Sequence, residues 1–217
     1  LDNCDAFRPL QQTTEKYTDS EKNNLKHAGS TVTAIDLTGD SYFDLLLGDV
    51  TFNNLVMLKN SAPASSALMI DQETQFPSSS ESVNLQKFPA AYYFDVNNDN
   101  IKDLIVTPNG NNVSTNHKNV WYYKNESLSD ELNFNLIKKD AFSDQMIEVG
   151  SGANPVFFDY NNDGLMDLII GNYGYYTEGG NFNSQLALYK NIGSESVPEF
   201  EWVTDDYEEL GLLNFDN

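Results

Sequence analysis

The sequence predicts an all-β fold of β-propeller blades, each a sheet of four antiparallel strands. The first observation is an aspartate-rich segment that recurs three times, with first aspartates 59 and 64 residues apart. These aspartates are Asp36, Asp95 and Asp159. The second is a Lys-Asn pair that recurs in phase, with lysines 65 and 66 residues apart. These lysines are Lys59, Lys124 and Lys190. Two markers at one period indicate a repeat protein.

Each repeat predicts four short strands. One apolar run precedes the aspartate-rich loop, and a second run follows it at once. The second runs are 45–47, 104–106 and 168–170. Runs of apolar residues bounded by Asn, Asp and Gly are typical of buried strands. The Lys-Asn segment predicts a third strand, and the fourth strands are expected at 69–76, 134–138 and 200–204. Four strands in about 60 residues describe a propeller blade.

This period divides the chain into segments. We expect an N-terminal segment at 1–28 that is the remnant of a preceding blade, blade 1 at 29–87, blade 2 at 88–150, blade 3 at 151–204, and a tail at 205–217 towards a missing blade. Three blades do not close a ring, and seven would need roughly 430 residues at this period. We therefore expect the chain to be part of a larger, seven-bladed propeller.

Composition excludes several classes of function. The chain of 217 residues carries 33 Asp and Glu against 12 Lys and Arg, a formal net charge of -21. Nucleic-acid binding and docking on anionic lipid both need a basic surface. No apolar run approaches the roughly 20 residues of a membrane span, so membrane insertion is not expected. A single cysteine, Cys4, excludes an internal disulfide framework, and the N-terminus does not read as a signal peptide.

The three loops share the spacing Asp-x-(Asn/Thr)-x-Asp-x-x-x-Asp, which suits calcium. Positions 1, 3, 5 and 9 offer side-chain oxygens and position 7 a backbone carbonyl, and Ca²⁺ takes six to eight hard oxygens. The predicted ligands are Asp36, Thr38, Asp40, Tyr42, Asp44, Asp95, Asn97, Asp99, Ile101, Asp103, Asp159, Asn161, Asp163, Leu165 and Asp167. The alternative is that Asp and Asn simply favour turns.

We expect up to three structural calcium ions, one in each loop. The residue at position 6 predicts how the calcium affinities of the three loops rank. Gly164 suits the left-handed backbone expected there, Asn100 tolerates it, and Ser41 tolerates it less well. In addition, Thr38 offers only a hydroxyl at position 3 of the first loop. We therefore expect the strongest site at 159–167 and the weakest at 36–44.

These segments resemble the FG-GAP/VCBS repeat, the blade unit of integrin alpha-subunit propellers. The segment 159–168 is a close match to the calcium loop of that family, 95–103 matches with Asn100 in place of glycine, and 36–44 departs at Thr38 and Ser41. The resemblance covers about 29–204 and implies that the loop joins the first two strands of a blade around a structural metal. The style of the repeat looks like large secreted surface proteins of the Bacteroidota. It implies a secreted or cell-surface location and, as partners, the remaining blades and the secretion machinery of the outer membrane.

Motifs for catalysis are not found in the sequence. It has no Gly-x-Ser-x-Gly elbow and no phosphate-binding Gly-x-x-x-x-Gly-Lys loop. We therefore expect a non-enzymatic module for adhesion that binds protein or glycan. Loop aromatics could contact such a ligand, and the candidates are Tyr173, Tyr175 and Tyr176. Two alternatives stay open: the propeller part of a lyase-like, polysaccharide-degrading enzyme, and a structural spacer in an adhesin.

Overall fold

The structure, a computed structural model, describes residues 29–86, 88–110, 114–177 and 181–213. The expected N-terminal remnant at 1–28 lies outside the described residues. The described part divides into two compact units. The first runs to Asp144 without 115–117, and the second holds 115–117 and everything from Gln145 onward.

The first sheet contains strands β1 to β4 in their order along the chain. These strands are β1 (Ser30–Ile35), β2 (Asp44–Asp49), β3 (Leu55–Asn60) and β4 (Met69–Glu73). Neighbouring strands are antiparallel. Alternate residues of β2 are buried, and Leu46 is 1% exposed. Alternation of this kind is expected where the two faces of a sheet meet different surroundings.

The second sheet repeats this meander. Its strands are β5 (Pro89–Phe94), β6 (Asp103–Pro108), β7 (Trp121–Asn125) and β8 (Phe134–Lys138), all antiparallel to their neighbours. In β6 the first four residues are buried, which explains the continuous apolar run of 104–106. Trp121 and Tyr123 are buried in β7.

The second unit contains the third sheet and a small hairpin. The sheet strands are β9 (Asn154–Phe158), β10 (Asp167–Gly171), β13 (Leu186–Asn191) and β14 (Phe200–Thr204), and the hairpin strands are β11 (Tyr175–Thr177) and β12 (Asn181–Asn183). The hairpin lies in a segment that was expected to be a loop. It forms because Tyr176 faces Phe182 across the pair, which provides a cross-strand aromatic contact.

The first and second sheets share one core. Ile35, Leu46 and Leu55 belong to the same buried cluster as Leu104 and Tyr123. Two threonines of β1 also donate hydrogen bonds to the backbone of β5. These bonds run from Thr31 Oγ1 to the carbonyl of Pro89 at 2.6 Å and from Thr33 Oγ1 to that of Ala91 at 2.7 Å. The two blades of the first unit are therefore fixed side by side through their first strands.

The third sheet has a core of its own. Leu168 and Ile170 of β10 pack with Ala187 and Tyr189 of β13, and Val149 completes this cluster. The expected fourth strands at 134–138 and 200–204 are confirmed, whereas the one expected at 69–76 ends at Glu73. The prediction of an all-β fold with four-stranded antiparallel blades is confirmed.

Candidate metal-binding loops

Each aspartate-rich segment connects the first two strands of its sheet. The loops follow β1, β5 and β9, and the aspartate of position 9 is the first residue of the next strand. Those aspartates are Asp44, Asp103 and Asp167. The register places each of them opposite the last residue of the preceding strand. Position 9 is thus held by the sheet, and positions 1 to 8 form the bend.

The three bends share one backbone conformation. Position 6 has a positive φ in every loop: 71° at Ser41, 68° at Asn100 and 87° at Gly164. The expected left-handed residue at this position is therefore found in all three. A second left-handed residue, which the sequence analysis missed, occupies position 4. It is Gly39, Asn98 or Asn162, with φ between 59° and 74°. Asn and Gly are the residues that adopt this conformation at least cost.

The carboxylate of position 1 closes the bend. It accepts the backbone N–H of position 6 at 2.9 Å from Ser41, Asn100 or Gly164. The carboxylate of position 5 accepts the N–H of position 7 at 2.8–2.9 Å, from Tyr42, Ile101 or Leu165. Position 1 is half-buried and position 5 is exposed in all three loops. These bonds hold the two side chains at the bend even though they carry like charges.

The carboxylate of position 9 is fully buried and connects the two repeated markers. Each of these aspartates is 0% exposed. Its Oδ1 accepts the backbone N–H of the asparagine in the Lys-Asn pair at 2.8–2.9 Å. Those asparagines, Asn60, Asn125 and Asn191, lie at the end of the third strand of each sheet. A buried carboxylate needs such donors, because burying an unpaired charge is costly.

The asparagine side chain then organises the turn after the third strand. In the third sheet, Asn191 Oδ1 accepts the N–H groups of Gly193 at 3.0 Å and Glu199 at 3.1 Å. Its Nδ2 donates to the carbonyl of Met166, at position 8 of the loop, at 3.2 Å. Asn60 makes the corresponding bonds in the first sheet. In the sequence this asparagine is visible only as a marker of the repeat, and its structural role depends on these bonds.

The lysine of the pair supplies a counter-charge in two loops. Lys124 Nζ lies 3.6 Å from Asp99, and Lys190 Nζ lies 3.5 Å from Asp163. The backbone N–H of Ile101 is the main factor that lowers the pKa of Asp99, and Asn97 and Lys124 lower it further. The N–H of Leu165 has the same effect on the pKa of Asp163, with help from Asn161 and Lys190. In the second and third loops, these contacts favour the charged form of position 5.

The second loop has one further partner, Tyr122. Its hydroxyl donates to Asp103 Oδ2 at 3.0 Å, and Asn97 Nδ2 donates to the same hydroxyl oxygen at 3.3 Å. Burial, and then the hydrogen bond to Asp103 and its negative charge, raise the pKa of Tyr122 to about 12. In the third loop the corresponding Asp167 Oδ2 accepts the backbone N–H of Tyr160 at 3.1 Å. The two loops therefore satisfy the same buried carboxylate in different ways.

The donor types fit calcium. Positions 1, 3 and 5 present carboxylate, amide or hydroxyl oxygens on one bend, and each carboxylate oxygen that accepts an N–H keeps a second lone pair. In the first loop the position-3 hydroxyl, Thr38 Oγ1, is buried without a hydrogen-bond partner. A hard cation would satisfy such an oxygen. Within the described ranges, no three Asp, Glu, His or Cys side chains converge into a metal cluster. Any metal would therefore also need the amide, hydroxyl and backbone oxygens.

The candidate ligand-binding tyrosines differ in their surroundings. Tyr173 is 64% exposed, and its ring centre lies 5.4 Å from that of Phe182. Tyr176 lies opposite Phe182 in the hairpin, and their ring centres are 5.9 Å apart. Tyr175 instead packs against the core of the third sheet, and its hydroxyl bonds the carbonyl of Glu148 and the carboxylate of Asp205. Tyr173 and Tyr176 thus offer aromatic surface, whereas Tyr175 helps to anchor the hairpin.

Comparison with known proteins identifies the repeat. A family model described as FG-GAP-like repeat matches residues 95–170. The matched segment runs from position 1 of the second loop to strand β10, so it includes the second and third loops. No curated protein matches the chain. Among the described residues, no helix has the length and apolar character to span a membrane. Residues 95–170 are therefore similar to an FG-GAP-like repeat, and the four-stranded sheets of the described part are propeller-like blades.

Proposed function

We propose that this chain is a non-enzymatic, extracellular propeller module whose aspartate loops bind structural Ca²⁺. The observation that carries the proposal is that all three bends have left-handed residues at positions 4 and 6. A turn that needed only hydrogen bonding would not require exposed carboxylates at position 5 in all three copies. The residues that would hold the ion are those of positions 1, 3, 5 and 9 and the backbone carbonyl of position 7.

Calcium would stabilise each blade by joining its first two strands. In each sheet, the carboxylate of position 9 bonds the end of the third strand, and the asparagine there bonds the turn towards the fourth. An ion held by positions 1, 3 and 5 would therefore be connected to all four strands through position 9. Ligand binding to the folded state alone stabilises by about 2.7 kcal/mol when the free ligand is at 100 times its dissociation constant.

The binding role of the module is inferred from its surface. Tyr173 and Tyr176 present aromatic rings next to Phe182 on the hairpin, a surface that suits sugar rings or protein side chains. Four described lysines lie next to carboxylates, so a neighbouring negative charge compensates each positive charge. These lysines are Lys124, Lys138, Lys139 and Lys190. Their pairing supports a binding module for neutral glycan or protein rather than a lyase for anionic polysaccharide.

Thermal unfolding with calcium or with EDTA tests the structural role of the metal. We expect the melting temperature to rise by several degrees in millimolar CaCl₂ relative to EDTA, and to rise much less in MgCl₂ because Mg²⁺ demands a stricter octahedral geometry. The variant Asp163→Asn should lose part of this increase. Identical melting curves in CaCl₂ and EDTA would refute the proposal.

A further inference from the structure

One face of the first sheet points away from the second sheet. The hydroxyls of Thr31 and Thr33 bond the backbone of β5, so these side chains face the second sheet. Because side chains of a strand alternate between its two faces, Val32 and Ala34 point the other way. The register places residues of β2 and β3 beside them. This outer face therefore presents six apolar side chains: Val32, Ala34, Leu45, Leu47, Val56 and Leu58.

The repeat provides a matching face in the second sheet, and that face is covered. Ala91 lies four residues before Asp95, as Val32 lies four residues before Asp36. The matching residues pack against the first sheet in the shared core, and they are Ala91, Tyr93, Leu104, Val106, Trp121 and Tyr123. Ala91 is 6% exposed, whereas Val32 is 61% exposed. The same side of the blade is therefore an interface in the second sheet and is exposed in the first.

The interface between the two sheets also identifies backbone acceptors for the outer face. The carbonyls of Pro89 and Ala91 accept the two threonine hydroxyls. Counted from the first aspartate of each loop, the matching carbonyls in β1 are those of Ser30 and Val32. Both β1 and β5 are edge strands of their sheets. A sheet that docked on the outer face in the same way would place hydroxyls against these two carbonyls.

The size of the outer face favours an occupant that is covalently linked. Three strands of about six residues each give a face of about 20 Å by 14 Å, or about 300 Å². Specific interfaces between separate proteins bury about 800 Å² on each partner. A linked sheet has an effective concentration in the millimolar range, so it does not need an interface of that size.

We propose that the outer face receives one further sheet of the same repeat from the same polypeptide, with first-strand hydroxyls that donate to the carbonyls of Ser30 and Val32. The docking sheet carries glycine where Gly48 lies in the first sheet, because a Cβ on Gly48 would lie 1.9 Å from the carbonyl oxygen of Pro89. The repeat period alone predicts further blades, whereas this face assigns where one docks and which groups it carries. The inference does not depend on calcium, and the measurements below are made in both CaCl₂ and EDTA.

A duplicated first blade tests this docking in the full chain. A second copy of residues 29–87 is inserted before residue 29, which keeps the length of the connection between successive sheets. The inserted sheet then offers its threonine face to the outer face. Each new interface in a repeat protein adds stability, so the urea midpoint should rise by about 0.5 M relative to the unmodified chain. Thr31→Val and Thr33→Val in the inserted copy should remove part of this increase.

Val32→Lys in the original copy is the decisive variant. In the duplicated chain it should abolish the increase, because it buries an unpaired charge in the new interface. In the unmodified chain it should change the urea midpoint little, because Val32 is exposed. Ile137→Lys, at an exposed position of β8, is the matched control and should have little effect in either chain.

The proposal is overturned if the duplicated chain is no more stable than the unmodified one, if it does not unfold cooperatively, or if Val32→Lys lowers both midpoints equally. Sedimentation of the unmodified chain tests a second copy as the occupant. We expect a monomer at micromolar concentration. A dimer that Val32→Lys dissociates would show that a second copy, rather than a linked sheet, covers this face.

Discussion

Asp167 accepts the backbone N–H of Asn191 through Oδ1 at 2.8 Å, across 24 residues of sequence. The same bond joins Asp103 to Asn125 in the second sheet. Both asparagines lie at the end of a third strand, and both aspartates begin a second strand. The two markers of the repeat are therefore one structural element: a buried carboxylate that fixes the end of the third strand.

Removing this buried carboxylate should destabilise the third sheet with or without calcium. Asp167→Ala leaves the N–H groups of Asn191 and Tyr160 without their acceptor. We expect the free energy of unfolding to fall by about 2–4 kcal/mol, as measured by urea denaturation in EDTA.

The control for that variant is Asp163→Ala in the exposed position 5. In EDTA it should lower the urea midpoint less than Asp167→Ala does, because its carboxylate is exposed and loses only surface bonds to Leu165, Asn161 and a lysine. In CaCl₂ it should lose stabilisation that the unmodified protein gains. Equal destabilisation by both variants in EDTA would contradict the separate roles assigned to positions 5 and 9.

Asn191→Ala should destabilise the turn between β13 and β14. The side chain bonds the N–H groups of Gly193 and Glu199 and the carbonyl of Met166. Losing these bonds should cost about 1–3 kcal/mol in urea denaturation. Asn154→Ala, at an exposed position of β9, is the control and should stay within about 0.5 kcal/mol of the unmodified protein. If Asn191→Ala lowers the free energy of unfolding as little as the control does, the asparagine is not a structural part of the repeat.

Gly48→Ala should disturb the packing of the first sheet on the second. A Cβ there would lie 1.9 Å from the carbonyl oxygen of Pro89 and 2.6 Å from Thr31 Oγ1. We expect a loss of about 1–3 kcal/mol or more, because the backbone of β5 must move.

Gly171 occupies the same place in the third repeat and provides the matched control. Its Cβ would meet only Leu186 Cδ1, at an ordinary 3.7 Å. Gly171→Ala should therefore leave the urea midpoint nearly unchanged. If both variants lower the urea midpoint equally, the close approach of β2 and β5 is not the reason for glycine at residue 48.

Tyr122 should make stability depend on alkaline pH. Its pKa is raised from 10.0 to about 12, mainly by burial and then by Asp103. Because the folded state favours the neutral phenol, Tyr122 stabilises the folded state fully below pH 10. This stabilisation is lost as the pH rises through about 12. Ultraviolet titration of tyrosinate should show a late component to which Tyr123 and Tyr175 also contribute, because burial raises their pKa values too, and Tyr122→Phe should reduce this component by one tyrosine. Tyr173→Phe, which alters an exposed ring, should leave that component in place.

Local patterns in the sequence were sufficient to predict the strands. The apolar run 104–106 predicted a buried strand, and it lies in β6. The left-handed residue at position 6 was predicted because Gly and Asn tolerate that conformation, and it is found even at Ser41. Such features depend on backbone preferences of a few neighbouring residues, which are readable from sequence alone.

Features that depend on distant partners could not be predicted. The bonds from position 9 to the marker asparagines join residues 16, 22 and 24 positions apart. Only the in-phase recurrence of the Lys-Asn pair hinted at them. The hairpin of β11 and β12 was missed because its strands have three residues each and depend on Phe182 for packing. The different surroundings of Tyr175, compared with Tyr173 and Tyr176, could likewise not be predicted. They depend on the core of the third sheet, against which Tyr175 packs.

Isothermal titration of the calcium-free chain with CaCl₂ most directly tests whether the three bends hold calcium. We predict saturable binding of up to three ions per chain, and loss of that binding in the variant that combines Asp40→Asn, Asp99→Asn and Asp163→Asn. MgCl₂ should not produce the same saturation. No heat of binding at millimolar CaCl₂, or full binding by the combined variant, would contradict this account.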